Sequence, residues 1–323
     1  MKRLFKPGLL IPIAIIVALA IWPLFSGNSA SAREAMFTLI MSMALASSLN
    51  IILGYTGYVS FGHIVFFGIG GYAGFWVITH LGWHILPAAL LGGLVAAIIA
   101  WLLGLAVLRL RGAYFALATI GILEAMKALV INLDFLGGPV GLEMHFSEYK
   151  RYGGPMESLW MVYWSMAFLA ILVIVVSYFI KTSKFGLGLM AIREDEDAAE
   201  VMGVITPRAK TWAYVLSAVF PGIIGVLFFF KNGNIEPGDA FRLHFSIEWI
   251  VMLMLGGAGT VLGPVLGGGI YQWLRKTLLT SPIFKDYQLV VAGVMLLIIV
   301  LFVPTGIIGW VRTRSAKLRR IFE

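Results

Sequence analysis

Apolar runs of about twenty residues recur from one end of this chain to the other, and that is the length a helix needs to cross a bilayer. In hydrocarbon every backbone N–H and C=O must find a partner within its own element or in a closed sheet. Only helices and barrels therefore span a membrane. A barrel would show short alternating segments, whereas the runs here are continuous. Composition agrees: the 323 residues are 60% hydrophobic and 12% charged, about half the charge of a soluble domain. The sequence predicts an all-α polytopic membrane protein. The absence of cysteine excludes disulfides and thiol chemistry.

The unbroken runs are Leu9–Phe25, Ala35–Leu53, Val59–Ile78, Pro87–Leu108, Gly112–Val130, Leu159–Ile180, Thr211–Phe230 and Gln288–Trp310. The first reads as a retained helix, although Ala30-Ser31-Ala32 offers a signal-peptide cleavage pattern. The segment Ile247–Leu279 is interrupted by Gly256-Gly257-Ala258-Gly259 and by Gly263-Pro264. Glycine and proline end helices, so it reads as two helices meeting at a turn.

Basic residues mark the cytoplasmic side. Counting the broken segment as two spans puts Lys2, Arg3, Lys6, Arg109, Arg111, Lys181, Lys184, Arg193, Arg208, Lys210 and the tail residues Arg312, Arg314, Lys317, Arg319 and Arg320 inside. The expectation is about ten transmembrane helices with both termini cytoplasmic, forming a single domain over residues 1–323. The net charge of +8 then reflects membrane orientation, since the cations sit at span ends and form no soluble face for nucleic acid. The outer loop from Asn132 to Ser158, rich in glycine, reads as an irregular cap.

One island breaks the apolar pattern. Residues 181–210 carry Arg193, Glu194, Asp195, Glu196, Asp197, Glu200 and Arg208. Each charge would cost several kcal/mol in lipid, so the stretch reads as a water-facing loop and a candidate docking surface. Ala191, Ala198 and Met202 could form one apolar stripe on a short helix, suited to a partner's groove. The acidic run lacks the spaced oxygen ligands of a metal loop, and no metal is expected.

Other polar groups fall in or near spans. Ser60 and His63 read either as interhelical hydrogen-bonding groups or as residues along a substrate route. Glu124 lies twelve residues into its helix, about 18 Å from the inner end, with Lys127 on the same face. Such ions are either a neutralised pair or functional. His80 and His84 flank Trp83 and read as interfacial residues. Gly70 and Gly74, and Gly259, Gly263 and Gly267, have the spacing that lets helices approach closely. No Gly-Lys pair occurs, so there is no phosphate-binding loop, and no G-x-S-x-G nucleophile motif is present. Any ATP must be used by another subunit. An ion-coupled secondary transporter using Glu124 and Lys127 is the alternative from another class; an intramembrane enzyme using His63 and Glu124 lacks an arranged nucleophile.

Four stretches in order resemble the permeases of branched-chain amino acid ABC importers, the longer of the two permease types. They are Asn50 through Gly54-Tyr55, Gly57, Ser60 and Gly62-His63; Arg109-Leu110-Arg111-Gly112-Ala113-Tyr114-Phe115-Ala116 with Thr119 and Glu124; Ala191-Ile192-Arg193-Glu194-Asp195-Glu196-Asp197-Ala198-Ala199 with Gly203, Lys210 and Ser217-Ala218; and Gly256-Gly257-Ala258-Gly259-Thr260 with Gly263-Pro264 and Gly267-Gly268. The resemblance covers about Ala35 to Trp310. It implies an inner-membrane permease that is not itself an enzyme and binds no cofactor. Its partners would be a second related permease, two cytoplasmic ATP-binding subunits and an external solute-binding protein. Residues 181–210 would be the coupling loop, with Arg193, Glu194, Glu196, Ala198 and Gly203 contacting an ATPase. Ser60, His63 and Glu124 are the candidates for the translocation path. The cargo would be leucine, isoleucine or valine, although urea and short-chain amide importers share the pattern. Pro221 stands where the family has a small residue beside Gly222.

Overall fold

The computed structural model describes residues 7–27 and 29–280, together with 290, 293, 294, 297 and 306–309. The span expected over Gln288–Trp310 and the basic residues of both termini lie essentially outside the described residues. Thirteen helices follow one another through residue 280: α1 Pro7–Phe25, α2 Ala30–Leu49, α3 His63–Leu81, α4 Ile85–Val107, α5 Gly112–Ile131, α6 Ser147–Lys150, α7 Pro155–Thr182, α8 Lys184–Glu194, α9 Glu196–Val201, α10 Thr206–Asn232, α11 Pro237–Ala240, α12 Leu243–Gly256 and α13 Gly263–Thr280. Among the described residues, seven helical stretches are long and apolar enough to cross a membrane: α1, α2 with the turn that prolongs it to Gly54, α3, α4, α5, α7 and α10. They match seven of the eight unbroken runs expected. The broken segment is indeed two helices, α12 and α13, joined by a turn at 257–262.

The chain divides into two compact units. The first comprises residues 1–57, 167–190 and 247–323. Here α13 packs on α2 and α1 on α2. The last turn of α2 widens into a π-helix over Asn50–Gly54, which aims the Asn50 amide at the α12–α13 turn. Its Nδ2 donates to Thr260 O and its Oδ1 accepts from Gly259 N, both at 2.9 Å. A π-turn redirects one side chain out of the helical register, and here it satisfies the open backbone of the turn, as buried polar groups require. The turn needs glycine: Gly257 and Gly259 have φ of 120° and 79°. A Cβ on Gly267 would lie 1.9 Å from Met252 O, so the glycine spacing lets the two arms of the hairpin touch. Glu248 and Arg275 cross the same hairpin at 3.4 Å.

The second unit comprises residues 58–166 and 191–246. Its core is the packing of α10 on α4 and α3. Gly70 and Gly74 form the expected small-residue seam. A Cβ on Gly70 would meet Gly222 Cα at 2.4 Å and Gly92 O at 2.8 Å; one on Gly74 would meet Val226 Cγ2 at 2.3 Å. The outer loop is more ordered than an irregular cap. Leu142–Glu143 pairs antiparallel with Asn234–Ile235, Tyr149 donates to Phe230 O at 2.9 Å, and Tyr152 accepts from Ile85 N at 3.0 Å. His84 caps α4 by accepting from Leu86 N, while His80 stacks on Trp76.

The charged island is mostly helical rather than an extended loop. Asp195 has an extended backbone and its carboxylate accepts from Asp197 N and Ala198 N. This N-cap starts α9 and separates it from α8, so Ala191 and Ala198 stand on different helices and the single apolar stripe does not form. Pro207 sits in the first turn of α10, where proline is favoured because its missing N–H would be unpaired anyway. The helix therefore begins five residues before the expected span and takes Lys210 with it.

Candidate functional site

Four segments distant in sequence converge in the second unit. Tyr58 lies on the non-helical link before α3, Arg111 immediately before α5, Glu196 opens α9, and Lys210 is in the first two turns of α10. The ammonium of Lys210 has three donors and uses each: Glu196 Oε1 at 2.6 Å, Leu108 O at 2.8 Å and the Tyr58 hydroxyl at 2.9 Å. Tyr58 in turn donates to Glu196 Oε2 at 2.6 Å. Arg111 reaches Asp197 at 2.9 Å and Glu196 at 3.6 Å. The Lys210 side chain is only 4% exposed and that of Glu196 12%, while Arg111 stays 53% exposed. Full pairing is what permits a buried ammonium at all.

Electrostatics follows from the geometry. Burial alone would raise the Glu196 carboxyl, but the hydrogen bonds from Lys210 and Tyr58 and the nearby Arg111 charge outweigh it and hold the group below its ordinary value. The Tyr58 hydroxyl is pushed well up, first by burial and then by the Glu196 carboxylate. Arg111 is raised by its hydrogen bond to Asp197 and by the Glu196 charge. At neutral pH Glu196 is therefore a carboxylate and Tyr58 a neutral phenol beside the Arg111 guanidinium.

From Tyr58 the non-helical link leads to α3. Phe61 N donates to Thr119 Oγ1 at 3.1 Å, and His63 opens α3 beside α10, fully buried. Non-helical backbone of this kind is tolerated in a membrane protein only where protein or a wet cavity covers it. His63 Nε2 lies 3.3 Å from Ser217 O. That carbonyl is available because Pro221, four residues on, has no N–H to give it. A carbonyl only accepts, so Nε2 is the protonated nitrogen; Nδ1 is buried and has no hydrogen-bond partner among the described residues. Ser60 is fully buried beside the Tyr214 hydroxyl. Rings join the two levels: Tyr58 to Phe115 at 5.1 Å, Phe115 to Tyr214 at 6.3 Å, Tyr214 to His63 at 6.0 Å.

The sequence candidates therefore separate. Ser60 and His63 lie together in the core of the unit. Glu124 is on the exposed face of α5, away from them, and no ion pair joins it to Lys127. Arg193, Glu194, Ala198 and Gly203 are exposed, whereas Glu196 turns inward. Val201 and Met202, 88% and 84% exposed, extend the exposed apolar surface at the end of α9. Sequence reasoning missed Tyr58 as a site residue and used Lys210 and Arg111 only as cytoplasmic-side markers and as members of the motifs; Arg208 stands two residues from Lys210, so nothing local singled Lys210 out. Among the described residues no group of three or more His, Cys, Asp or Glu is placed to hold a metal.

The family described as branched-chain amino acid transport system / permease component matches residues 32–300. The high-affinity branched-chain amino acid transport system permease protein LivM of Salmonella typhimurium is 30% identical over 93% of this chain and 74% of its own. LivM of Escherichia coli is 30% identical over 93% and 75%. The permease protein LivH of Escherichia coli is 26% identical over 82% of this chain and 90% of its own. No solved structure matches the chain. With seven apolar helices of spanning length and a family match over most of its length, the chain is a multi-pass membrane protein and belongs to the branched-chain amino acid transport permease family.

Proposed function

We propose that this chain is the membrane permease of an ATP-driven importer that carries leucine, isoleucine or valine across the inner membrane. It has about ten transmembrane helices with both termini cytoplasmic and performs no chemistry of its own. It works with a second, related permease, two cytoplasmic ATP-binding subunits and an external solute-binding protein that delivers the cargo. The reading draws on the names of the LivM and LivH relatives.

The observation that carries the coupling role is the meeting of Glu196 with Lys210, Tyr58 and Arg111. Residues 181–210 form the coupling segment. Arg193, Glu194, Ala198 and Gly203 offer the outer surface on which an ATPase docks, with Val201 and Met202 as its apolar anchors. Glu196 is the inward anchor. A push on α9 then acts on the link before α3 and on the start of α10 together, and through Tyr58, Phe115 and Tyr214 on the region of Ser60 and His63. Glu124 faces the path shared with the second permease.

The test is reconstitution of the complex in vesicles with internal ATP and external binding protein. Uptake of labelled leucine that needs ATP is expected. Glu196→Ala should leave ATP hydrolysis running while uptake falls at least tenfold. Uptake driven by an ion gradient without ATP would instead establish a secondary transporter.

A further inference from the structure

A cleft of about 680 Å³ opens between the end of α4 and the start of α10, within the range of ligand-sized sites. Trp101, Leu105 and Trp212 line it together with Arg109 and Arg208. Four cations (Arg109, Arg111, Arg208, Lys210) line it against two carboxylates, Glu196 and Glu200. Both carboxylates are already engaged, Glu196 by Lys210 and Tyr58, and Glu200 by the Thr206 hydroxyl. Lys210 and Arg111 are likewise spent on the coupling cluster. The remaining cations are not. Arg109 makes one hydrogen bond, Nε to Leu105 O at 3.2 Å, and has no carboxylate partner; Arg208 has neither hydrogen bond nor ion pair among the described residues.

Two guanidinium groups that have no counter-ion among the described residues lie beside two tryptophans that are 47% and 57% exposed. Tryptophan belongs at the level where hydrocarbon meets headgroups. Guanidinium binds phosphate oxygens through paired N–H donors, and basic pockets between spanning helices at the cytoplasmic face take anionic headgroups. The lining combines guanidinium groups with the apolar Trp101, Leu105 and Trp212, which suits a molecule with a charged head and a greasy body. We propose that this cleft binds the phosphodiester of an anionic phospholipid, its acyl chains lying along the exposed face of α4. The assignment to the cytoplasmic leaflet rests on the orientation proposed above; the binding itself does not. A headgroup held there touches the first turn of α10, so its arrival is felt by Lys210 and through it by Glu196.

The test is native mass spectrometry of the full chain in detergent, titrated with phosphatidylglycerol or phosphatidylcholine. At least tenfold tighter retention of phosphatidylglycerol is expected. Arg109→Gln with Arg208→Gln should abolish that preference, with the melting temperature kept as a check on folding. Lysine at both positions should keep part of it, and Lys231→Gln, at the far end of α10, should leave it unchanged. Equal retention of the two lipids, or an unchanged preference in the double glutamine variant, overturns the proposal. Inorganic phosphate at millimolar concentration should fail to displace the lipid; displacement would mark a soluble-anion site and overturn it. If the cleft belongs to an ATP-binding subunit instead, phosphatidylglycerol will be lost when the complex is assembled, which also overturns it. These readouts need no transport, so they stand apart from the identity of the cargo.

Discussion

Lys210 shows how a single cation can organise an interface between segments. All three of its donors are committed, so removing it leaves Glu196, Tyr58 and Leu108 O each short of a partner. Lys210→Met should destabilise the protein by about 1–3 kcal/mol, the cost of stranding partly buried polar groups, read as a lowered melting temperature in detergent. The companion Glu196→Gln should cost less on the Lys210→Met background than alone, because the two residues share one interaction. The carboxyl of Glu196 is depressed in the folded state. Its contribution is therefore complete above the unfolded value, about 4.3, and is lost as pH falls through the lower folded value. Melting temperature should thus drop below about pH 4 in the native protein, with a shallower drop in Glu196→Gln. These roles were only partly legible in the sequence. The island and its helix caps follow from local chemistry, and Glu196 stood out as a charge in a run. Nothing local distinguishes it from Glu194, because its partners come from positions 58, 111 and 210.

At the scale of elements the sequence was most informative, because spanning length and glycine spacing are local properties. Seven spans and the broken pair were readable, yet boundaries moved wherever a cap or proline decided them, as at Pro207. The seam of α3, α4 and α10 depends on bare backbone at Gly70, Gly92 and Gly222. Gly70→Ala should cost about 1–3 kcal/mol, since the added methyl meets fixed backbone in a packed core. Gly121→Ala on α5 is the control: its Cβ would meet nothing within 4 Å, and no loss in melting temperature is expected. The π-turn at Asn50 was not legible. It exists to serve a turn more than two hundred residues away.

At the scale of the whole molecule, Glu124 is exposed on a spanning helix among the described residues. A carboxylate on the exposed face of a spanning helix is costly against lipid, so Glu124 argues for a second protein or a wet path along α5. Glu124→Gln should lower ATP-driven leucine uptake in reconstituted vesicles at least tenfold while leaving ATP hydrolysis intact. Equal uptake in the two proteins would remove Glu124 from the path.

The proline in α10 carries a further consequence. Because residue 221 cannot donate, α10 has a vacancy in its own ladder, and the imidazole that opens α3 occupies it. One helix thus begins on the gap in another. Restoring the amide by Pro221→Ala would set up a competition for the Ser217 oxygen, and the start of α3 would lose its mooring without any change to the histidine itself.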